Sequence, residues 1–273
     1  MSGSDDQPFR HHSLKHHIVS WISRTLFGRL TYTVRRGLLK GMRRKGGLSW
    51  LPEFGGLAQT PEQRFLYTLD LAGKVVFDVG AFEGLLTLYF ARYAKHVVCY
   101  EPNSRNAARL RENLGLNHIG NVTVRELALG SSSRSAKLVW TPAMAGAATV
   151  DDTNMADAIG ALKTARREDI QITTLDQDII DCRMPEPDLV KIDVEGYELQ
   201  VLKGAPRLLR SKHPALYLEM HGETMNEKRR NVRAIVEFLL QLGYRSILHI
   251  ESGELITGEN FERASQGHLY ARQ

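Results

Sequence analysis

The sequence predicts an α/β fold in which helices cover both faces of a mostly parallel sheet of about seven strands. Residues 75–79, 97–100 and 189–192 are short apolar runs rich in β-branched residues, which is typical of strands buried on both faces. Segments with the apolar spacing of helices alternate with these runs, as in β-α-β units. With 273 residues, of which 42% are hydrophobic and 25% charged, the chain can form one large domain with an extension.

The positive charge of the chain is concentrated in its first 50 residues. Ten Lys or Arg and two Asp give residues 1–50 a net charge of +8, so the remainder, from a total of +5, carries −3. We therefore divide the chain into a basic helical N-terminal arm, 1–50, and a main domain, 51–273. In the arm, apolar residues step by four, as on one face of a helix, at Leu14, Ile18, Ile22, Leu26 and Leu30.

Two interpretations of the arm remain open. A basic, amphipathic segment at residues 10–45 suits peripheral contact with an anionic membrane, close to a lipid-linked substrate. Packing against the main domain, or against a second subunit in a homodimer, is favoured because amphipathic helices mostly serve packing. The four histidines within residues 11–17 lack carboxylate or cysteine companions, so we expect a solvated tail there rather than a metal site.

Cysteine content and hydropathy indicate a cytoplasmic protein. Cys99 and Cys182 have no metal-ligand spacing and offer no disulfide framework, which suits a reducing compartment. The sequence contains no apolar run of the roughly 20 residues that span a bilayer, and its N-terminus has no clean signal core. We expect a cytoplasmic location, with membrane association only if the arm binds lipid.

The sequence of residues 74–93 predicts a strand, a glycine turn and a helix, which together form half of a nucleotide-binding crossover. The apolar strand contains Asp78 near its end, and Gly80 and Gly84 follow it. Glycine lets the backbone turn sharply and lets a ligand approach the N-terminus of the helix. We therefore expect a nucleotide-like cofactor beside this turn.

The second predicted strand ends at Glu101, which lies 21 residues beyond Gly80. In a nucleotide-binding crossover, a carboxylate at this position accepts hydrogen bonds from both ribose hydroxyls. Pro102 stops the strand, and Asn103 follows it. We assign these three residues to cofactor binding, with Glu101 as the ribose ligand.

The glycine spacing favours S-adenosyl-L-methionine over a dinucleotide. Dinucleotide sites usually carry a further glycine where this chain has Ala81, Phe82 and Glu83, and the negative Glu83 would repel a pyrophosphate. S-adenosylmethionine instead has a positive sulfonium, and it has an ammonium that Asp78 or Glu83 could attract.

Two later segments are assigned to the same site. The third strand ends near residue 125, so Glu126 or the backbone of Ala128 is expected to touch the adenine, with a structural role equally open. Residues 141–168 are rich in Ala and in charged residues and show weak periodicity, which predicts a long loop or small insertion over the site.

Capping signals and apolar spacing predict the remaining elements. Thr60 and Pro61 should begin a helix that runs to about residue 71, and Ser104 should cap another that runs to residue 114. Further helices are predicted over 198–209 and 226–242, and a terminal antiparallel pair of strands over 244–250 and 268–272.

Acidic residues and a histidine follow two other predicted strands. Asp193 ends the apolar run 189–192, and Glu219 and His221 share one face of the run 215–221. If these strands are parallel neighbours, the three side chains meet at the carboxyl edge of the sheet. Ligands of open α/β sheets bind at that edge.

These motifs resemble the FkbM family of class I S-adenosylmethionine-dependent methyltransferases. The resemblance implies a Rossmann-like class I methyltransferase fold and O-methylation of hydroxyls on sugars, glycolipids or polyketide products. It spans roughly residues 46–270 and leaves the arm outside. Phe82 and Glu83 depart from the family pattern, which often has Asn and a small or apolar residue. The residues that carry the resemblance are Phe77-Asp78-Val79-Gly80-Ala81 with Gly84, Glu101-Pro102-Asn103, Lys191-Ile192-Asp193-Val194-Glu195-Gly196-Tyr197-Glu198 with Val201-Leu202-Lys203-Gly204-Ala205, and Leu218-Glu219-Met220-His221-Gly222.

Methyl transfer to oxygen requires an in-line arrangement of donor and acceptor and a group that removes the hydroxyl proton. His221 is the expected base, because a neutral imidazole can accept the proton while Glu219 stabilises the resulting cation. We assign Asp193 both to cofactor binding and to the catalytic group. In an alternative arrangement, Asp193 and Glu219 hold Mg²⁺, which would acidify a sugar diol. Purely structural roles, in hydrogen bonding for His221 and in helix capping for Asp193, also remain open.

The predicted function is O-methylation of a hydroxyl on a sugar, glycolipid or secondary metabolite. One alternative is a binding protein that holds the cofactor without catalysis, recruited to RNA or membrane by the arm. Another is an RNA 2′-O-methyltransferase, although a main domain with a net charge of −3 argues against nucleic acid. Transfer to exocyclic nucleic-acid amines is disfavoured because the chain contains no Pro-Pro dipeptide, and hence no clamp of the N-P-P-Y type.

Overall fold

The computed structural model describes residues 30–45, 59–141, 148–150, 162–222 and 224–273. The helical prediction for the first 29 residues and the histidines among them lie outside these ranges. The strands are β1 Thr31–Thr33, β2 Arg43–Lys45, β3 Val75–Val79, β4 His96–Tyr100, β5 Val122–Arg125, β6 Ala128–Leu129, β7 Arg134–Trp140, β8 Thr149–Val150, β9 Arg166–Thr173, β10 Leu189–Ile192, β11 Ala215–Glu219, β12 Ser246–His249, β13 Glu254–Leu255 and β14 His268–Arg272. The α-helices are α1 Pro61–Leu66, α2 Leu85–Tyr93, α3 Ser104–Leu116, α4 Leu175–Asp181, α5 Glu198–Lys203, α6 Pro206–Ser211 and α7 Met225–Gln241, and a 3-10 helix spans Phe261–Ala264.

The central sheet has the strand order β13-β12-β14-β11-β10-β3-β4-β5. The five strands from β11 to β5 are parallel to one another, and β14, β12 and β13 continue the sheet in antiparallel pairs. The predicted mostly parallel sheet is confirmed, as are the parallel neighbours β10 and β11 and the antiparallel pair β12 and β14. Within the described part of the chain, this sheet has eight strands rather than about seven, because the two-residue β13 extends its edge.

Helices cover both faces of this sheet, as the apolar runs predicted. In β3, Val75, Phe77 and Val79 contribute to one buried core, whereas Val76 contributes to the other. Helices α5, α6 and α7 supply the first core, and α2 and α3 supply the second. Both faces of β3 are buried, which explains why all of its residues except Asp78 are apolar.

Two helix starts illustrate how capping works in this chain. The Thr60 hydroxyl accepts a hydrogen bond from the Gln63 N–H, and Pro61 occupies the first turn, so the predicted start of α1 is confirmed. The helix ends at Leu66, however, rather than near residue 71. The cap of α3 is Asn103 and not Ser104, because the Asn103 side chain accepts the N–H groups of residues 105 and 106.

The helix predicted over 198–209 is two helices, α5 and α6. Gly204 follows α5 at a point where a Cβ atom would lie 2.0 Å from the carbonyl oxygen of Gly130. Pro206, which has no N–H to donate, then starts α6. The helix is therefore interrupted at Gly204, where the backbone lies against the loop before β7.

The segment predicted as a long loop contains part of a second sheet. Strands β6, β9, β7 and β8 form a four-stranded sheet, and β7 pairs with β9 from residue 134 to residue 140. Of the two alternatives predicted for residues 141–168, a long loop or a small insertion, the long loop is wrong for β8 and for the start of β9, which belong to this second sheet. The first half of β9 is largely exposed and charged, so its sequence shows little apolar alternation.

The end of the arm packs on the main domain. Strands β1 and β2 form an antiparallel hairpin that contacts α3. The backbone of Arg43 exchanges two hydrogen bonds with the Asn117 side chain, at 2.8 and 2.7 Å. Among the described helices, none combines the length and the apolar character that crossing a lipid bilayer requires.

Candidate active site

A cavity of about 230 Å³ lies at the carboxyl ends of β3, β4, β10 and β11. This is the edge where the sequence placed the ligand site. The second sheet contributes the far side of the cavity through Leu138 and residues 148–150. Acidic lining residues are concentrated on the sheet side, and they are Glu101, Asp193, Glu195 and Glu219.

The glycine turn after β3 brings two strand ends into close contact. Gly80 has a φ of 78°, and a Cβ atom there would lie 1.8 Å from the backbone oxygen of Asp193. Only glycine fits this position. The N–H groups of Gly80 and Ala81 both donate to the carbonyl of Tyr100 at 3.0 Å, which ties the turn to the end of β4.

Glu101 is held firmly at the cavity wall. Its carboxylate accepts hydrogen bonds from the N–H of Phe82 at 2.8 Å, the N–H of Asn103 at 3.0 Å and the side-chain amide of Asn106 at 3.2 Å. Burial raises the pKa of Glu101 to about 7, although these hydrogen bonds favour the charged form. The structure thus places a preoriented acceptor where the sequence expected the ribose ligand.

The remaining predicted cofactor residues divide into two groups. Gly80, Pro102, Ala128 and Asp193 line the cavity with Glu101. The others contact the protein around it instead. Glu126, for example, pairs with Arg111 at 2.7 Å on the outside of the fold. Of the two candidates for adenine contact, Ala128 is therefore the one at the cavity wall.

Asp78 lies below the cavity in a buried ion pair that the sequence analysis missed. Its carboxylate accepts a hydrogen bond from the Thr87 hydroxyl and lies 3.1 Å from the Lys191 ammonium. Lys191 also donates to the carbonyl of Gly80 at 2.7 Å and lies 3.4 Å from the Asp193 carboxylate. Burial opposes the charged form of Lys191, but Asp78 and Asp193 outweigh it and raise the lysine pKa. A lysine inside the otherwise apolar β10 was the available signal.

Glu83, the other predicted partner of the cofactor ammonium, lies on the outer side of the glycine turn. Its carboxylate is 3.8 Å from the Arg44 guanidinium, and both side chains are largely buried. Asp78 and Glu83, the two acids that the sequence assigned to the cofactor ammonium, therefore each lie beside a cation of the protein itself. Asp193, Glu195 and Glu219 line the cavity instead, together with Glu101.

His221 lies at the centre of a cluster of carboxylates. Its Nδ1 atom is 2.8 Å from the Glu198 carboxylate. Its Nε2 atom is 3.6 Å from Glu219 and 3.7 Å from both Asp193 and Glu195. The predicted meeting of Asp193, Glu219 and His221 thus occurs, and Glu195 and Glu198 join it. Both were visible in the motif but were given no role.

The charges in this cluster shift its titration strongly. Burial would lower the pKa of His221, but the hydrogen bond that its ring donates to Glu198 and the charges of the nearby acids raise it to about 10. Burial raises the pKa of Glu195 to about 7 and also raises that of Asp193. His268 and His221 outweigh burial at Glu219 and lower its pKa to about 2. At neutral pH these carboxylates therefore favour the charged imidazolium of His221 over the neutral imidazole that a base requires.

The same cluster could also bind a cation. One ligand atom each from Asp193, Glu219 and His221 lies within 4.8 Å of the other two. Two oxygens and one nitrogen suit a transition metal better than Mg²⁺, which prefers oxygen. The ammonium of Lys191 and the charged imidazole already supply positive charge to these acids.

A mostly parallel sheet with a glycine turn after β3 and an acidic cavity at its carboxyl edge is the arrangement expected of a class I S-adenosylmethionine-dependent methyltransferase. The model of the methyltransferase FkbM domain matches residues 78–246, which is more than half of the chain. The chain belongs to the FkbM methyltransferase family. The resemblance recognised in the motifs is confirmed, and family membership implies S-adenosylmethionine as the methyl donor.

Two curated relatives are methyltransferases of low identity. The hexuronic acid methyltransferase AglP of Haloferax volcanii is 32% identical over 150 residues, which cover 54% of this chain and 56% of AglP. The 2-O-methyltransferase NoeI of Sinorhizobium fredii is 25% identical over 183 residues, covering 63% of this chain and 73% of NoeI. The match thus spans little more than half the length of AglP.

Among solved structures, the chain is similar to the methyltransferase FkbM from Methylobacillus flagellatus. The TM-score is 0.49 and the identity 18%, and the superposition covers 83% of this chain and 51% of the other.

Proposed function

We propose that this protein is an O-methyltransferase that transfers the methyl group of S-adenosylmethionine to a hydroxyl of a sugar, free or within a glycolipid. One observation carries the proposal: Glu101 and three of the acids around His221, namely Asp193, Glu195 and Glu219, line a single cavity. A ribose ligand and a group that can receive a hydroxyl proton therefore share one space. The names of AglP and NoeI, which specify a hexuronic acid and a 2-O position, support a sugar acceptor.

We assign cofactor binding to two parts of the cavity wall. Glu101 would accept hydrogen bonds from the ribose hydroxyls, since its carboxylate is already oriented by three donors. Asp193 and Glu219 supply negative charge to the same cavity and favour a cationic ligand. The sulfonium of S-adenosylmethionine is such a cation, and the demethylated product has lost it.

We assign the proton to Glu195 rather than to His221. As the acceptor oxygen bonds to the methyl carbon, the carbon–sulfur bond breaks and the hydroxyl proton must pass to a base. Glu195 lines the cavity with a pKa of about 7, close to the value that suits a base at neutral pH. Its backbone φ is 51°, an unfavourable conformation of the kind found at functional sites. Charged His221, held by Glu198, would stabilise the neighbouring carboxylates.

We propose that the reaction proceeds without a metal. The acids that could hold one already face the charged His221 and Lys191. A divalent ion at Asp193 and Glu219 would have to displace the imidazolium or bind beside it, at a cost in repulsion.

The experiment is an acceptor screen. The purified protein is incubated with S-adenosylmethionine and with uronic acids, neutral sugars, glycolipids and RNA, and formation of S-adenosylhomocysteine is measured. We expect acceptor-dependent product with at least one sugar-containing acceptor and about 10²-fold less with the Glu195→Gln variant. Saturable cofactor binding without turnover on any acceptor would instead support a non-catalytic binding protein. Turnover on RNA alone would support the 2′-O alternative.

A further inference from the structure

The hairpin of the N-terminal arm is fixed to α3 by a pair of asparagines. The N–H of Lys45 donates to the Asn113 side chain at 2.8 Å, and the N–H of Arg43 donates to the Asn117 side chain at 2.8 Å. The two asparagines are four residues apart and so lie on the same face of the helix. Arg44, between the two anchored residues, is thereby placed in a defined position.

Arg44 and Asn113 both contact the glycine turn of the cofactor site from outside. The Arg44 guanidinium is 3.8 Å from the Glu83 carboxylate, with side chains only 6% and 16% exposed. The Asn113 side-chain amide donates to the backbone carbonyl of Glu83 at 3.0 Å. Glu83 is thus held in place through its side chain by Arg44 and through its backbone by Asn113.

The turn that they hold has an unfavourable backbone. Phe82 has a φ of 52°, and Gly80 and Gly84 have φ values of 78° and 87°. Non-glycine residues adopt this region only when their surroundings impose it. Phe82 lines the cavity, and its N–H donates to the Glu101 carboxylate. A shift of the turn would therefore move both a wall of the cavity and a hydrogen bond of the predicted ribose ligand.

We infer that Arg44 is a positioning residue of the cofactor site, acting through Glu83 on the turn that carries Phe82. The segment 30–45 then completes the site, although it precedes the part of the chain that matches the family model, 78–246. This inference rests on the proposed binding of S-adenosylmethionine in this cavity. The inference also gives a role to Glu83, which departs from the family pattern. Its acidic side chain has a charge partner in the arm, Arg44.

A double-mutant cycle tests the inference by calorimetric binding of S-adenosylhomocysteine. We expect Arg44→Met and Glu83→Gln each to weaken binding about tenfold, because the turn is no longer held in its binding conformation. The double variant should bind no more weakly than the single ones, which shows that the two side chains act as a pair. Lys45→Met is the matched control. It removes the same charge from the next residue, whose ammonium pairs with Glu112 at the surface, and it should leave affinity within about twofold.

Two further measurements separate positioning from folding and from the proposed function. Amide hydrogen exchange in the ligand-free protein should be faster at residues 80–84 in Arg44→Met and unchanged in Lys45→Met. Deletion of residues 1–29 should leave affinity unchanged, whereas deletion of residues 1–45 should weaken it. If Arg44→Met binds within twofold of the wild type and exchanges at the wild-type rate, the inference is overturned. If the wild type itself fails to bind, the proposed function is lost, and the exchange rates still decide whether Arg44 holds the turn.

Discussion

The Nδ1 atom of His221 lies 2.8 Å from the Glu198 carboxylate, and this contact turns Nε2 toward three other acids. The imidazole therefore bridges carboxylates rather than facing an acceptor. Burial opposes the charged imidazole, but the hydrogen bond to Glu198 and the charges of Glu195 and Asp193 outweigh burial and raise the pKa of His221. The roles of the site residues follow from this arrangement.

Protein stability should depend on His221 in alkaline solution. Its pKa is about 10 in the folded state and about 6.5 in an unfolded chain. The stabilisation from its charge is therefore fully present below about pH 6.5 and is lost as the pH rises through about 10. Chemical unfolding of wild type and His221→Gln between pH 6 and pH 10.5 measures it. The difference in unfolding free energy should shrink with rising pH, and a constant difference would contradict the raised pKa.

The Glu195 carboxyl should control the acidic side of the pH–rate profile. A base must be deprotonated to accept a proton, so turnover should rise as the pH passes through about 7 and then level off. Glu195→Gln should lower turnover about 10²-fold and remove this dependence. Asp169→Asn, which alters an exposed acid paired with Lys137, serves as the control. A wild-type profile in Glu195→Gln would assign the proton elsewhere.

Glu101 should determine cofactor affinity, whereas Glu126 should not. Glu101→Ala removes a charged acceptor at the cavity wall and should weaken S-adenosylhomocysteine binding by about 1–3 kcal/mol. Glu126→Ala removes an acid that pairs with Arg111 outside the cavity and should change affinity little. Titration calorimetry of both variants gives the comparison. Equal affinities for Glu101→Ala and wild type would remove Glu101 from the site.

Chelation should leave turnover unchanged. The acids near His221 are already neighbours of Lys191 and of the imidazolium, so we expect no dependence on a divalent ion. The test is the rate after dialysis against EDTA, and again after addition of Mg²⁺ or Mn²⁺. Loss of activity that either ion restores would favour the metal arrangement at Asp193 and Glu219.

Local sequence signals were sufficient for much of the fold and for one wall of the site. Buried strands such as β3 and β10 are apolar except for Asp78 and Lys191, so their sequences indicate that both faces are covered. Glu101 could be found because its distance from Gly80 reflects a single crossover. The meeting of Asp193, Glu219 and His221 required only that β10 and β11 be neighbours, which the structure confirms.

The contacts that could not be predicted from the sequence join distant parts of the chain. Asp78 was assigned to the cofactor because nothing near it in the sequence indicates its partner. That partner, Lys191, lies 113 positions further along the chain. Glu83 similarly depends on Arg44, in an arm that was treated as a separate unit. The charge of His221 could not be read from the sequence either, because it results from four acids that three-dimensional packing brings together. Spacing within one element carries none of this information.

The most direct test of the proposed O-methyltransferase is the chemical identity of the product. The protein is incubated with ¹³C-methyl S-adenosylmethionine and the best acceptor from the screen, and the product is analysed by NMR and mass spectrometry. We predict one labelled methoxy group on a sugar hydroxyl, formed in equal amount with S-adenosylhomocysteine and strongly reduced by Glu195→Gln. Label on nitrogen or carbon, or cofactor consumption without labelled acceptor, would contradict the proposal.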